Sequence, residues 1–453
     1  MIDLGRHELW HDRGLALHSG GRRRRWAVRC GMLAATIALV LPLAPWPQTA
    51  KLAAAVSPLV TVSAALAGRS LDLFALAALP ALTMALLRRR WFCRWLCPTG
   101  LLAEQCGRLR SPARVTGRSR RARFWKRLPI APWALAATLA GACLGYPLLL
   151  WLDPLGLLAG YFGLCAQPGS LAGLIAGLGL PLALLVSLLW PGAWCRRVCP
   201  LGAMQDLLAL PLGATAGLPS SANATARSAR PTDDAAGATA GLPSSANATA
   251  KSGRPTHGAA SVARRGLLAA GLGGLASWFA LRREPAEPPP LRPPGAADES
   301  RFSGLCLRCG ACLRACPTLI LQPDMAAIGG LAAWLCPTVR FGPGYCRADC
   351  RACTLACPSG AIAPLSATDK PAAAIGLAEV ELSLCLLVQQ QECSVCINEC
   401  HYEAIRRQFD EEDYSVRPIV DAAKCPGCGA CEAACPTRPK PAIVVRKARG
   451  ERV

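Results

Sequence analysis

Four apolar stretches dominate the first half of the chain, at 26–46, 71–87, 132–151 and 171–190. Crossing a hydrocarbon core of ~30 Å takes roughly 17 to 25 helical residues, so each stretch predicts a main transmembrane helix. Tryptophans at the ends of three of them fit an aromatic belt at a bilayer interface. Shorter Pro-containing apolar segments at 52–67 and 153–164 predict re-entrant or interfacial pieces. The two hairpins so formed resemble each other, which predicts an internal duplication. Ser57-Pro58-Leu59 corresponds to Asp153-Pro154-Leu155, and Cys93-Arg-Trp-Leu-Cys97-Pro98 corresponds to Cys195-Arg-Arg-Val-Cys199-Pro200.

The pattern then changes. Residues 213–262 are rich in Ala, Ser, Thr, Gly and Pro, and a fourteen-residue sequence at 213–226 recurs unchanged at 237–250. Such a segment buries too little to offset its chain entropy, which predicts a flexible linker without chemistry. Arg264-Arg265 precedes the weakly apolar run 267–281, too short for a comfortable span but suited to a twin-arginine export signal; the alternative is an interfacial helix that leaves the rest on the inner side. The expected organisation is a tail at 1–25, a membrane domain at 26–212, a repeat linker at 213–263, a short signal or anchor helix at 264–283, a Pro-rich tether at 284–297 and a cysteine-rich domain at 298–453. The fold class expected is an α-helical membrane domain of four main transmembrane helices plus re-entrant segments and one further short helix, joined to an α+β ferredoxin-like domain.

Charge sharpens the orientation. The formal net charge is +22, yet residues 298–453 balance their acidic and basic side chains, so the whole excess lies in residues 1–297. It concentrates at Arg22–Arg25 and from Arg88 to Arg127, where Glu104 is the single acidic residue. Basic loops flanking apolar runs are expected on the cytoplasmic side. A nucleic-acid partner is not expected, because no helix-turn-helix pattern or basic sheet with interleaved aromatics accompanies the charge.

The chain holds 25 cysteines. An odd number in tight runs is not a paired disulfide framework. Cys306, Cys309, Cys312 and Cys316 are spaced C-x2-C-x2-C-x3-C-P, and Cys425, Cys428, Cys431 and Cys435 repeat that spacing. Between them lie Cys346, Cys350, Cys353 and Cys357, with one extra residue after the first cysteine, and Cys385, Cys393, Cys396 and Cys400, with a longer first gap and His401 in place of proline. Three thiolates on one tight loop reach three irons of a cubane while the fourth ligates the neighbouring cluster. Sixteen cysteines thus predict four [4Fe-4S] clusters. By the two-cluster rule Cys306, Cys309 and Cys312 go with Cys357; Cys346, Cys350 and Cys353 with Cys316; Cys385, Cys393 and Cys396 with Cys435; and Cys425, Cys428 and Cys431 with Cys400. Structural zinc is the alternative, but it prefers two separated knuckles. Cys336 is a further ligand candidate near the second run.

No nucleophile–base pair, phosphate loop or carboxylate pair accompanies these runs, so no catalytic residue is assigned. Cys30, Cys143 and Cys165 read as small apolar helix residues. Cys93 with Cys97, and Cys195 with Cys199, are i,i+4 pairs that point two sulfurs along one helix face. The duplication brings the four together either as an additional redox or metal site or as reduced structural thiols. Arg94, Arg196 and Arg197 nearby are expected to lower the thiol pKa values.

The duplicated CxxxCP elements make the first half resemble the NapH and MauN membrane proteins and their NosR-type relatives. The twin arginines and four cysteine runs make the second half resemble the NapG and MauM ferredoxin-type proteins, as if two partners were fused. The resemblance implies a protein of the bacterial inner membrane with its ferredoxin domain on the periplasmic side, passing electrons from the quinol pool to a periplasmic redox protein. Asp72 and Asp153 are then candidate acceptors of quinol protons, or interface caps. The alternatives are an accessory or maturation protein for a periplasmic redox enzyme of the methylamine dehydrogenase or nitrate reductase type, without its own quinol site, and a cytoplasmic metal-reducing or sensing protein.

Overall fold

The structure, a computed structural model, describes residues 19–40, 49–69, 73–88, 90–109, 130–163, 175, 177–209, 257–282, 289–325, 333–411 and 415–447. The repeat at 213–250, the middle of the basic loop at 110–129, Asp72 and Cys165 lie outside the described residues.

The expected four-span membrane domain is overturned: among the described residues no helix is long and apolar enough to cross a membrane. The apolar stretches break where the backbone forces them to. Within stretch 71–87 a 3-10 turn, Leu73–Ala78, leads into the nine-residue helix Leu79–Leu87, entered through Pro80. Stretch 132–151 becomes the 14-residue helix Ile130–Cys143, about 21 Å long at 1.5 Å per residue. It ends where Gly145 takes a left-handed φ of 94° ahead of Pro147. Stretch 171–190 yields the 11-residue helix Gly179–Leu189. The helix Ser19–Val40 has 22 residues but carries Arg22 to Arg25 and Arg29. Arg29 is buried and paired with Glu104. The supposed re-entrant pieces are the helices Pro58–Gly68 and Pro154–Gly163.

These short helices pack on one core that includes Leu59, Phe92, Leu150 and Leu201. The twin arginines fall within a 26-residue helix, His257–Arg282, which lies along Ile130–Cys143. The approach is close because two side chains are missing: a Cβ on Gly273 would stand 2.4 Å from the Cα of Ala137, and one on Gly141 2.4 Å from the Ser277 hydroxyl. The contact is fixed by Ser277, whose hydroxyl donates to the Tyr146 carbonyl at 3.0 Å.

The cysteine-rich part is a mixed helix and small-sheet fold with three two-stranded antiparallel sheets. Strand β1 (Leu321–Pro323) pairs with β2 (Pro337–Val339), β3 (Leu377–Val380) with β6 (Ile443–Arg446), and β4 (Ile405–Asp410) with β5 (Ser415–Val420). A fourth, minimal pairing joins Ala296 to Ile362, through Ala297 N to Ala361 O at 2.9 Å and Ala363 N to Gly295 O at 2.8 Å. This part seats directly on the helical part. Arg314 donates to the Ala159 carbonyl at 3.2 Å, Ser303 to the Tyr146 hydroxyl at 3.3 Å, and Arg301 to the Ala67 carbonyl.

Replacing Gly273 by valine forces those helices apart and is expected to cost roughly 1–3 kcal/mol, the usual penalty of overpacking. A Cβ at Gly271 meets nothing within 4 Å, so Gly271→Val is the control. Thermal unfolding should show a lower midpoint for G273V than for G271V; equal midpoints would contradict the packing described.

Candidate metal centres

The first and last cysteine runs share one local build. In the first, Arg308 and Gly310 take left-handed φ values of 55° and 64°, curling the chain so that Cys306, Cys309 and Cys312 face inward. Cys312 lies on the one-turn helix Ala311–Ala315, and Cys316 follows in extended backbone, turned away from the loop. In the last run Gly427 and Gly429 hold the same places at 69° and 82°, followed by the helix Ala430–Ala434. Glycine is needed at Gly429 for a second reason: a Cβ there would stand 2.1 Å from the Phe341 ring.

The four strand pairings decide where each fourth cysteine goes. The Ala296–Ile362 bridge joins the segment before Cys306 to the segment after Cys357, and Cys306, Cys309, Cys312 and Cys357 line one cavity. Sheet β3–β6 joins the segment before Cys385 to that after Cys435, and Cys385, Cys393, Cys396 and Cys435 line a second. Sheet β1–β2 turns the chain back between Cys316 and Cys346. Burial, then the sulfurs of Cys346, Cys316 and Cys350, push the Cys353 thiol up to about 12. The β4–β5 hairpin does the same between Cys400 and Cys425, and burial, then the sulfurs of Cys428, Cys425, Cys396 and Cys400, raise the Cys431 thiol.

The donor set suits an iron–sulfur group. Each site offers four thiols, and among the described residues no group of three or more His, Cys, Asp or Glu side chains is placed to hold a single metal ion. Sulfurs round one zinc at ~2.3 Å must crowd together, whereas the first and third sets surround a void. Backbone N–H groups aim at three of the fourth cysteines: Ile362 N at Cys357 Sγ, 3.4 Å; Ala404 N at Cys400 Sγ, 3.3 Å; Ala442 N at Cys435 Sγ, 3.3 Å. Hydroxyls two residues on do likewise, Thr318 at 3.5 Å from Cys316, Ser359 at 3.8 Å from Cys357 and Thr437 at 3.2 Å from Cys435. Such bonds are one of the levers that set cluster potentials. Cysteine spacing alone does not reveal these hydroxyls, although Cys-Pro-Thr or Cys-Pro-Ser is written in three of the four runs. Cys336 is fully buried within hydrogen-bond reach of Cys306 and therefore belongs beside the first site, not the second. His401 is exposed, its Nδ1 3.0 Å from the Glu399 carbonyl.

In the helical part Cys93, Cys97, Cys195 and Cys199 come within electrostatic reach of one another. The expectation of lowered thiol pKa values there is corrected: burial outweighs Arg90 and the Cys93 thiol is pushed up to about 12, with Cys97, Cys195 and Cys199 raised too. Gln205, also unforeseen, ties the two motifs together, donating to Cys93 Sγ at 3.0 Å and accepting from Phe92 N at 3.1 Å. Asp153 is a cap: fully buried, it accepts from Ser57 Oγ at 2.6 Å and from the N–H groups of Leu155 and Gly156 at 3.0 and 3.1 Å.

Burial raises the Asp153 carboxyl from 3.8 to about 6 despite those donors. A folded pKa above the unfolded one gives stability that is full below the unfolded value and lost as pH rises through the folded value. Asn at 153 keeps the shape and cannot ionise. Between pH 5 and 7 the melting midpoint of the native chain should therefore fall relative to that of Asp153→Asn; a constant difference would contradict the burial described.

A family model described as a 4Fe-4S binding domain matches residues 71–115 and 172–219, and a second with the same description matches residues 418–439. The chain is 40% identical over 157 residues to the methylamine utilization ferredoxin-type protein MauM of Methylophilus methylotrophus, covering 32% of this chain and 66% of MauM, just under two thirds of its length. It is 36% identical over 164 residues to the ferredoxin-type protein NapG of Escherichia coli, covering 34% of this chain and 69% of NapG. With the ferredoxin-type protein NapF of the same organism it is 36% identical over 147 residues, covering 32% and 80%. No solved structure matches. The likeness of the first half to NapH and MauN rests on its motifs alone. Through the cysteine runs and these relatives, the chain belongs to the ferredoxin-type family of NapG, NapF and MauM.

Proposed function

We propose that this chain is a four-cluster electron carrier that delivers electrons to an oxidoreductase on the outer side of the cytoplasmic membrane. A [4Fe-4S] group, when bound, takes up and gives back one electron without rearranging bonds. The chain's own residues do the rest: four thiols per site hold the group, Leu307, Pro358 and Ile362 wall off the first site and Pro436 and Ile443 the third.

One observation carries the proposal, the neighbourhood of thiols across sites. Cys312 of the first site is acted on by sulfurs of its own set and by Cys353 of the second. Cys346 of the second bonds through its N–H to the Cys428 carbonyl at 2.8 Å, and Cys396 of the third lies within reach of Cys431 of the fourth. The sites thus run first, second, fourth, third, a row with two ends rather than scattered structural knots. Arg264-Arg265 supports export of the folded, loaded chain and hence an outer-side partner.

The exchange of fourth cysteines gives the test. In the anaerobically purified full chain, Cys357→Ala should alter the same electron paramagnetic resonance signal as Cys312→Ala, and Cys316→Ala the same signal as Cys353→Ala. Pairing of Cys357 with Cys353 instead, or purification with zinc and no sulfide, would defeat the proposal.

A further inference from the structure

The four runs leave one set of thiols unused. Cys97 and Cys199 are buried, and each stands immediately before a helix that opens on proline, Pro98–Leu109 and Pro200–Leu208. Gly100 N donates to Cys97 Sγ at 3.3 Å, and the Gly202 N–H does the same for Cys199. A side chain would block the second turn, since a Cβ at Gly202 would stand 2.8 Å from the Cys195 carbonyl, while one at Gly100 would rest in ordinary contact with the Cys93 carbonyl. Cys93 and Cys195 precede them on the turns Trp91–Trp95 and Trp194–Val198. The two halves are locked face to face by the Gln205 bridge to Cys93 and Phe92, by Arg90 Nε donating to both Asp206 oxygens at 2.9 Å, and by Ser57 with Asp153.

We infer that Cys93, Cys97, Cys195 and Cys199 together hold a fifth cubane iron–sulfur cluster, one group shared between the two repeats. Each repeat matches the 4Fe-4S domain model separately, yet each supplies two thiols, half of what a cubane needs. Arg90 lies within electrostatic reach of Cys93, Cys195 and Cys199, and Arg29 and Arg196 of Cys195, which suits a site whose loaded form stays anionic. The site is also placed to serve the carrier: Cys97 and Cys199 pack in one core with Leu307, Cys309 and Ala311 of the first ferredoxin site. The shared site extends the proposed row by one station and does not need the four-cluster count to be right.

The test is iron and acid-labile sulfide per chain in the anaerobically purified full protein, native and with Cys93, Cys97, Cys195 or Cys199 replaced singly by alanine and with Cys97 and Cys199 replaced together. One shared cluster predicts that every single variant loses the same group, roughly four irons and four sulfides, that the double variant loses no more than either single, and that the signals altered by Cys312→Ala and Cys353→Ala persist. Unchanged iron in the variants, a loss that doubles in the double variant, or disulfides between these cysteines would overturn it. Should a variant fail to fold, the ferredoxin signals vanish with it, and the native chain decides: roughly twenty irons support the fifth site and roughly sixteen refute it. Fewer irons that still drop in the Cys97 variant would instead sink the four-cluster count alone.

Discussion

The cysteine-rich part depends on one constraint: short antiparallel pairings that carry the fourth cysteine of each run to the loop of another. The first and last runs present three sulfurs round a common centre, because left-handed residues such as Gly310 and Gly429 curl them, but the fourth sulfur of each lies past the helix end, away from that centre. The Ala296–Ile362 bridge and the three small sheets supply the missing donor from elsewhere. These pairings are too small to stand alone, since isolated two-stranded ribbons are marginal in water. Strand pairing and thiol clustering therefore support each other, and loss of either is felt by both.

The same logic, with other parts, governs the helical half. There the donors sit at helix starts and turns, and the convergence is enforced by side chains: Gln205 across the repeat, Arg90 with Asp206, Ser57 with Asp153. Buried polar groups of this kind are tolerated where every partner is made. Arg292 illustrates it next to the first site, with Glu299, the Pro337 carbonyl and the Phe302 face all engaged. The first ferredoxin site and the CxxxCP turns then share one apolar core, so the chemistry-bearing parts of the chain are packed together rather than strung on tethers.

Much of the site was legible in the amino-acid sequence because cluster ligation fixes residue type and spacing tightly. Cys306 to Cys316 and Cys425 to Cys435 declare themselves, and so does the correspondence of Ser57-Pro58 with Asp153-Pro154. The membrane architecture was misread for a physical reason. Hydropathy along 132–151 counts apolar residues and ignores Gly145 and Pro147, where the 14-residue helix has already ended. The thiol pKa values near Arg196 were misjudged likewise, since adjacency in sequence shows a charge but not the burial that outweighs it. Gln205 was illegible, a lone polar residue whose partners lie more than a hundred positions away.

The most direct measurement is anomalous scattering at the iron edge from crystals of the full chain grown anaerobically. The thiol geometry predicts a compact iron density bounded by Cys306, Cys309, Cys312 and Cys357, and another bounded by Cys346, Cys350, Cys353 and Cys316. Densities each enclosed by the four cysteines of a single run, or scattering at the zinc edge in their place, would contradict the exchange of ligands on which the fold is built.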